Sequence, residues 1–232
     1  MAQRPRLRGR RIVHNERGMS VSDPDFSLLE TMRLEDGRIV RIDGHLERMA
    51  QAAAANGFAW DPARVAESLA AVEAAQPSGR WRVRLLVSRD GEPTVQCAAF
   101  PAPVSRPWRV GFAAHPVDDA DPFLRMKTTR RQAYEAARQS RPHVDDVLLW
   151  TTAGHVTEST IANVVVELDG TRFTPPSSAP LLPGVFRAAL LAAARIQERQ
   201  LSKHEVATAP RLWLVNSLRE WIDAEMDAAD RE

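Results

Sequence analysis

At 232 residues, with 44% hydrophobic and 26% charged side chains, the chain is long enough to bury one or two cores and has an ordinary globular composition. No apolar run reaches the roughly 20 residues of a membrane span, the single Cys97 excludes an internal disulfide or a cysteine-rich metal site, and the six histidines are scattered, so no metal, no membrane and a reducing, cytoplasmic setting are expected. The net charge of +1 is uneven: residues 1–18 hold six arginines and one glutamate while the remainder is acidic, so the tail reads as a disordered extension and nucleic acid is not the expected partner.

From Phe26, FSLLETMRLEDGRIVRI predicts two strands joined at Glu35-Asp36-Gly37. HLERMAQAAAANGF predicts a helix capped by Asp43 and ended by Gly57, with Leu46, Met49, Ala50 and Ala53 on one face. Asp61-Pro62 opens a second helix reaching about Ala75. WRVRLLVSRDGEPTVQCAAF is a hairpin around Asp90-Gly91, and Trp108 to Ala114 is a further strand. The polar, proline-interrupted stretch 115–125 reads as a linker between a small N-terminal α/β domain at 19–114 and a larger C-terminal one at 126–232. A helix is expected after Lys127, through about Arg138. DDVLLWT, IANVVVEL and TRFTPP are strands, the last two joined at Asp169-Gly170. LLPG leads into the helix VFRAALLAAARI, whose AALLAAA portion reads as buried; ERQLS and RLWLVNS are short strands. The class is α/β (α+β), two lobes with mixed sheets.

Only two of the 31 basic side chains are lysines, Lys127 and Lys203. A guanidinium keeps its proton; an ε-amine can lose it and form a Schiff base with a carbonyl. Lys127, just before a helix, is the stronger candidate, and Lys203, in the polar connector QLSKHEVATAP, reads as a surface charge. Leu182-Pro183-Gly184 precedes a helix N-terminus whose Val185 and Phe186 amides offer an anion site. Asn216 and Ser217 end an apolar strand with short hydrogen-bonding groups. Glu158 stands just before an apolar strand, either solvated at its mouth or held against a cation.

In order, LLETMR, HLERM, KTTRRQAY, DDVLLWTTAGHVTESTIANVVVELDG, TPPSSAPLLPGVFR and RLWLVNSLR resemble the class IV (fold type IV) pyridoxal-phosphate enzymes over about residues 26–220. That group includes branched-chain and D-amino-acid aminotransferases and aminodeoxychorismate lyase; LLETMR, KTTRRQAY and LVNSLR are most similar to the lyases. The resemblance implies a fold like that of D-amino-acid aminotransferase, pyridoxal 5'-phosphate as cofactor, a small-molecule amino substrate and a homodimer. It implies that Lys127 holds the cofactor and then serves as the base, that Glu158 keeps the pyridine nitrogen protonated, and that Thr31 helps proton transfer. Arg48, the Val185 and Phe186 amides and Ser217 would bind the phosphate. Arg33 and Arg219 are candidates for the substrate carboxylates. Taken singly, Arg48 also reads as a solvated helix charge, Glu158 as a strand-end carboxylate, Ser217 as a turn former and Thr31 as a β-former. The relatives' tyrosine five residues after the lysine is Gln132 here; Tyr134 reads as a packing residue, and Arg131 matches an arginine of the lyases.

The leading expectation is a lyase that converts 4-amino-4-deoxychorismate to 4-aminobenzoate and pyruvate. The alternatives are an aminotransferase for branched-chain or D-amino acids on the same scaffold, and a non-catalytic binding protein whose basic tail contacts nucleic acid.

Overall fold

The computed structural model describes residues 26–102 and 105–231. The basic tail at 1–18 lies outside the described residues. Strand β1 (Leu28–Glu35) turns through Asp36-Gly37 into the short β2 (Arg38–Ile39). Helices α1 (Ile42–Asn56) and α2 (Pro62–Ala75) follow, then β3 (Arg80–Val87) and β4 (Pro93–Ala99). These strands make an antiparallel sheet in the order β2-β1-β3-β4. Period two decides which residues face the helices: Leu28, Met32 and Leu34 of β1 and Val83, Leu85 and Val87 of β3 pack with Met49, Ala53, Val65 and Leu69. The opposite set, including Thr31, Arg33, Arg82 and Arg84, lies on the other face, with Thr31 opposite Arg84 and Arg33 opposite Arg82.

The second sheet holds β5 (Trp108–Phe112), β6 (Asp146–Trp150), β7 (Val156–Ser159), β8 (Asn163–Leu168), β9 (Thr171–Thr174), β10 (Gln197–Glu198), β11 (Arg211–Asn216) and β12 (Glu220–Met226). Their order is β10-β9-β8-β11-β12-β5-β6-β7, and pairing of Glu158 with Asn163 returns β7 to β8, closing a barrel-like ring. Helices α3 (Gln132–Ser140), α4 (Val185–Ala192) and α5 (Lys203–Thr208) accompany it.

Local signals located several elements correctly. Asp61 accepts from the Ala63 and Arg64 amides and Pro62 occupies the first turn of α2. Gly57 ends α1 at φ 66°, where a glycine costs least. Other expectations are corrected. Asp43 lies inside the first turn of α1, whose N-cap is Arg41 at φ 58° with no side-chain cap bond. Strand β5, placed with the N-terminal domain by its sequence position, pairs in parallel with β12 and β6 in the second sheet. The stretch 115–125 is a packed connection: Phe123 meets Phe26 edge-on at 5.2 Å in the first core, and Leu124 joins Tyr134, Val147 and Leu149 in another. Lys203 opens a short helix capped by Ser202. In α4, Phe186 and Leu190 are buried but Ala188 and Ala189 are exposed, so the alanine-rich run is a surface helix. Strands β7 and β12 have no counterpart among the elements expected from the sequence.

Candidate active site

A cavity of about 310 Å³ lies between the two sheets. Thr31, Arg82 and Arg84 form one wall, His45 and Arg48 come from α1, Glu158 faces in from β7 of the other sheet, and Lys127 from the segment before α3. Gly184 and Val185, at the start of α4, and Asn216 and Ser217, at the end of β11, close one end.

Backbone bonds place Lys127. The Leu29 amide donates to the Lys127 carbonyl at 2.9 Å, and Leu28 bridges to Thr128, so the lysine is stitched to the free edge of β1. Among the described residues its side chain has no hydrogen bond or ion pair. Burial, then the charges of Arg48 and Arg131, lower its pKa to about 8 against the opposing pull of Glu30 and Glu158.

Glu158 sits inside β7, 3% exposed, rather than before a strand. Burial raises its pKa to about 8, although the Tyr134 hydroxyl and the Leu182 amide both favour its charged form. Tyr134 donates to Glu158 Oε1 at 2.8 Å, so it does more than pack. Its hydroxyl is itself pushed above the ordinary range by burial and by Glu158. Arg131 lies 4.4 Å from the Tyr134 ring centre and donates to the Thr160 carbonyl.

Behind the cavity stands Glu30, 1% exposed. It accepts from Arg48 Nε at 2.8 Å and Nη2 at 2.6 Å, while His45 Nδ1 lies 2.7 Å away. Burial alone would raise its pKa, but Arg48 and then His45 outweigh burial and bring it down to about 2. Arg48 Nη1 donates to the Pro183 carbonyl at 2.9 Å, which ties α1 to the loop before α4. Arg48 is therefore neither a solvated charge nor an open fork; two of its three nitrogens are held by Glu30.

The end of the cavity is built for an anion. Gly184 allows a close approach: a Cβ there would lie 2.0 Å from Asn163 Oδ1. Beyond it the Val185 and Phe186 amides occupy the first turn of α4, where helix amides lack intrahelical partners. The Phe186 side chain points into a core beside Trp221. Among the described residues, three buried polar atoms of the cavity lining have no partner: Ser217 Oγ, His45 Nε2 and Arg82 Nε.

The structure thus brings Lys127, Thr31, Arg48, Glu158, Val185 and Ser217 to one cavity, with Phe186 entering through its backbone position. It does not bring Arg33 or Arg219 there. Arg33 bonds Glu220 at 2.9 Å and lies 3.3 Å from Glu35. Arg219 donates to the Ala102 carbonyl at 3.1 Å and lies 5.7 Å from the Trp108 ring centre. Arg82 and Arg84 line the cavity instead. The alternation in WRVRLLV signals their shared face; the ladder with β1 sets which site that face meets.

The sequence matches the family model for amino-transferase class IV over residues 27–225. A Schizosaccharomyces pombe protein provisionally named aminodeoxychorismate lyase is 31% identical over 203 residues, covering 84% of this chain and 87% of that protein. A Mycobacterium tuberculosis protein named bifunctional aminodeoxychorismate lyase / D-amino acid transaminase is 28% identical over 231 residues, covering 82% and 78%. The crystal structure of a Mesorhizobium loti protein, provisionally named an amino-acid aminotransferase, has a TM-score of 0.82 at 37% identity and covers 88% of this chain and 100% of that one. With the family match running almost from β1 to the end of β12, and a relative this similar over most of both lengths, the chain belongs to the class IV aminotransferase family of pyridoxal-phosphate-dependent enzymes.

Proposed function

We propose that the chain binds pyridoxal 5'-phosphate and converts 4-amino-4-deoxychorismate to 4-aminobenzoate and pyruvate. The observation that carries this reading is one wall of the cavity: Thr31 stands opposite Arg84 in the β1–β3 ladder, with Arg82 beside them. Arg82 Nε is buried and unpartnered. A substrate with two carboxylates supplies what such guanidinium groups lack, whereas a branched-chain amino acid calls for an apolar wall.

The side chains fit the cofactor. Lys127 is unpartnered and its pKa of about 8 gives a substantial neutral fraction near neutrality, as attachment to an aldehyde requires. The orphaned Ser217 hydroxyl and the first-turn amides of α4 suit a phosphate, with Arg48 adding positive charge. Glu158, protonated or ionised near pH 8, can hold a proton between its carboxyl and the ring nitrogen. When bound, the cofactor supplies an electron sink for the bond-breaking step. Lys127, released by the substrate amine, takes the proton from the amine-bearing carbon, and Thr31 passes a proton toward the departing enolpyruvate. Arg82 and Arg84 hold the carboxylates during the transfer. Substrate and the two products balance without water or a second substrate, so the reaction needs no 2-oxo acid acceptor.

The test is pyruvate release from aminodeoxychorismate with and without an added 2-oxo acid. Equal release in both supports the lyase. Amino-group transfer only with the acceptor supports the aminotransferase reading, which the same lysine and glutamate would serve, and refutes the lyase. We also infer a homodimer: Ile161, 46% exposed, is a large apolar side chain at the cavity, where a second copy would cover it. Sedimentation at the mass of one chain refutes that.

A further inference from the structure

We propose that His45 is a ligand of the cofactor phosphate, its Nε2–H closing the anion cradle formed by the start of α4 and Ser217. The inference rests on the reading of the cavity as a pyridoxal-phosphate site, and adds to it a residue whose side chain the motif-level resemblance does not assign.

Three observations converge on His45. First, its ring is 1% exposed, it lines the cavity, and Nε2 has no hydrogen-bond partner. A buried ring nitrogen without a partner is unfavourable unless something binds there. Second, its tautomer is set from behind. Glu30 is ionised across the working pH range because Arg48 and His45 overcome its burial. An ionised carboxylate only accepts, so Nδ1, at 2.7 Å, carries a proton. A phosphate oxygen only accepts, so the ring that bridges Glu30 and a phosphate carries a proton on each nitrogen, Nδ1–H to Glu30 and Nε2–H to the phosphate. Third, the position is right. Gly44, the preceding residue, lies against Val185: a Cβ on Gly44 would be 2.9 Å from Val185 Cγ1. Arg48, one turn later, reaches the Pro183 carbonyl. His45 thus sits between two contacts that α1 makes with the loop 183–185, and it lines the same cavity as the unpartnered Ser217 hydroxyl.

Glu30 takes a defined part in this arrangement. A phosphate dianion bound by Arg48 alone would compete with Glu30 for the same guanidinium. With His45 as second cation, Glu30 spreads its charge over both side chains and fixes each in place. Glu30 is then a positioning residue that never touches the ligand.

The experiment uses the full-length protein freed of cofactor. Pyridoxal 5'-phosphate and pyridoxal are titrated by absorbance, and inorganic phosphate is tested as a competitor. His45→Asn keeps a donor toward Glu30 and removes Nε2. A charged hydrogen bond of this kind is worth about ten- to a hundredfold in binding, so affinity for pyridoxal 5'-phosphate falls by that factor while affinity for pyridoxal, which has no phosphate, is unchanged. His45→Gln, whose amide nitrogen reaches the Nε2 position, recovers part of the loss. In the parent, inorganic phosphate moves the Nε2 nitrogen resonance to that of a protonated nitrogen. Unchanged affinity in His45→Asn, or equal losses for both aldehydes, overturns the proposal, since a purely structural histidine affects both alike. If His45→Asn does not fold, His45→Gln and the parent's nitrogen resonance decide it. A parent that binds neither aldehyde refutes the cofactor reading itself, and the role of His45 with it.

Discussion

Replacing Glu30 by Gln tests the buried charge cluster. In the fold this carboxyl titrates at about 2 instead of 4.5. At about 1.4 kcal/mol per pH unit, the shift corresponds to about 3 kcal/mol of stability at neutral pH. The folded pKa is the lower one, so the unfolded chain binds more protons between the two values. The contribution is therefore complete above about pH 4.5 and is lost as pH falls toward 2. At about pH 3.5, a little under half of it has gone. Glu30→Gln removes the charge but nearly keeps the shape, leaving Arg48 and His45 without their carboxylate. Urea unfolding of the cofactor-free protein should find the variant less stable by about 3 kcal/mol at pH 7, with the gap narrowing by about half at pH 3.5. A gap near zero at pH 7, or one that does not change with pH, refutes the reasoning.

Three further outcomes are expected. With Lys127 titrating at about 8, cofactor uptake by the cofactor-free protein rises about tenfold from pH 7 to pH 9 and then levels off; a rise of about a hundredfold without a plateau marks an ordinary lysine. Arg84→Met raises the KM for aminodeoxychorismate about ten- to a hundredfold with cofactor affinity unchanged, while Arg33→Met, whose guanidinium is held by Glu220 and Glu35 outside the cavity lining, leaves KM at the parent value; steady-state kinetics separate the two. Tyr134→Phe removes the bond that favours the ionised Glu158, so the Glu158 pKa rises further and urea unfolding registers a loss of about 1–3 kcal/mol; carbon NMR of the glutamate carboxyl reads the shift directly.

Some elements follow from a few neighbouring residues. Asp61-Pro62, Gly57, Asp90-Gly91 and Asp169-Gly170 act through backbone geometry within a turn, so the ends of α1 and α2 and two hairpins are readable directly. Strand β12 carries a local signal that its charges mask: Ile222 and Met226 are buried while Asp223 and Glu225 are exposed, a period of two. Glu30 carried one too, as a carboxylate on the same strand face as Leu28 and Met32.

From its residues alone the chain determined its scarcity of lysine, which singled out Lys127 and Lys203, the order of its motifs and most of its short-range turns, because these depend on composition, side-chain chemistry and local backbone preference. Which arginines face the cavity was decided only by tertiary structure. Arg33, Arg82, Arg84 and Arg219 are chemically equivalent, but Glu220 and the Ala102 carbonyl capture two of them while the β1–β3 register turns the other two inward. The same holds for Lys127 and Glu158: burial in the folded chain brings both toward a pKa of about 8, with Arg48 and Arg131 reinforcing it at Lys127 while the Tyr134 hydroxyl and Lys127 oppose it at Glu158.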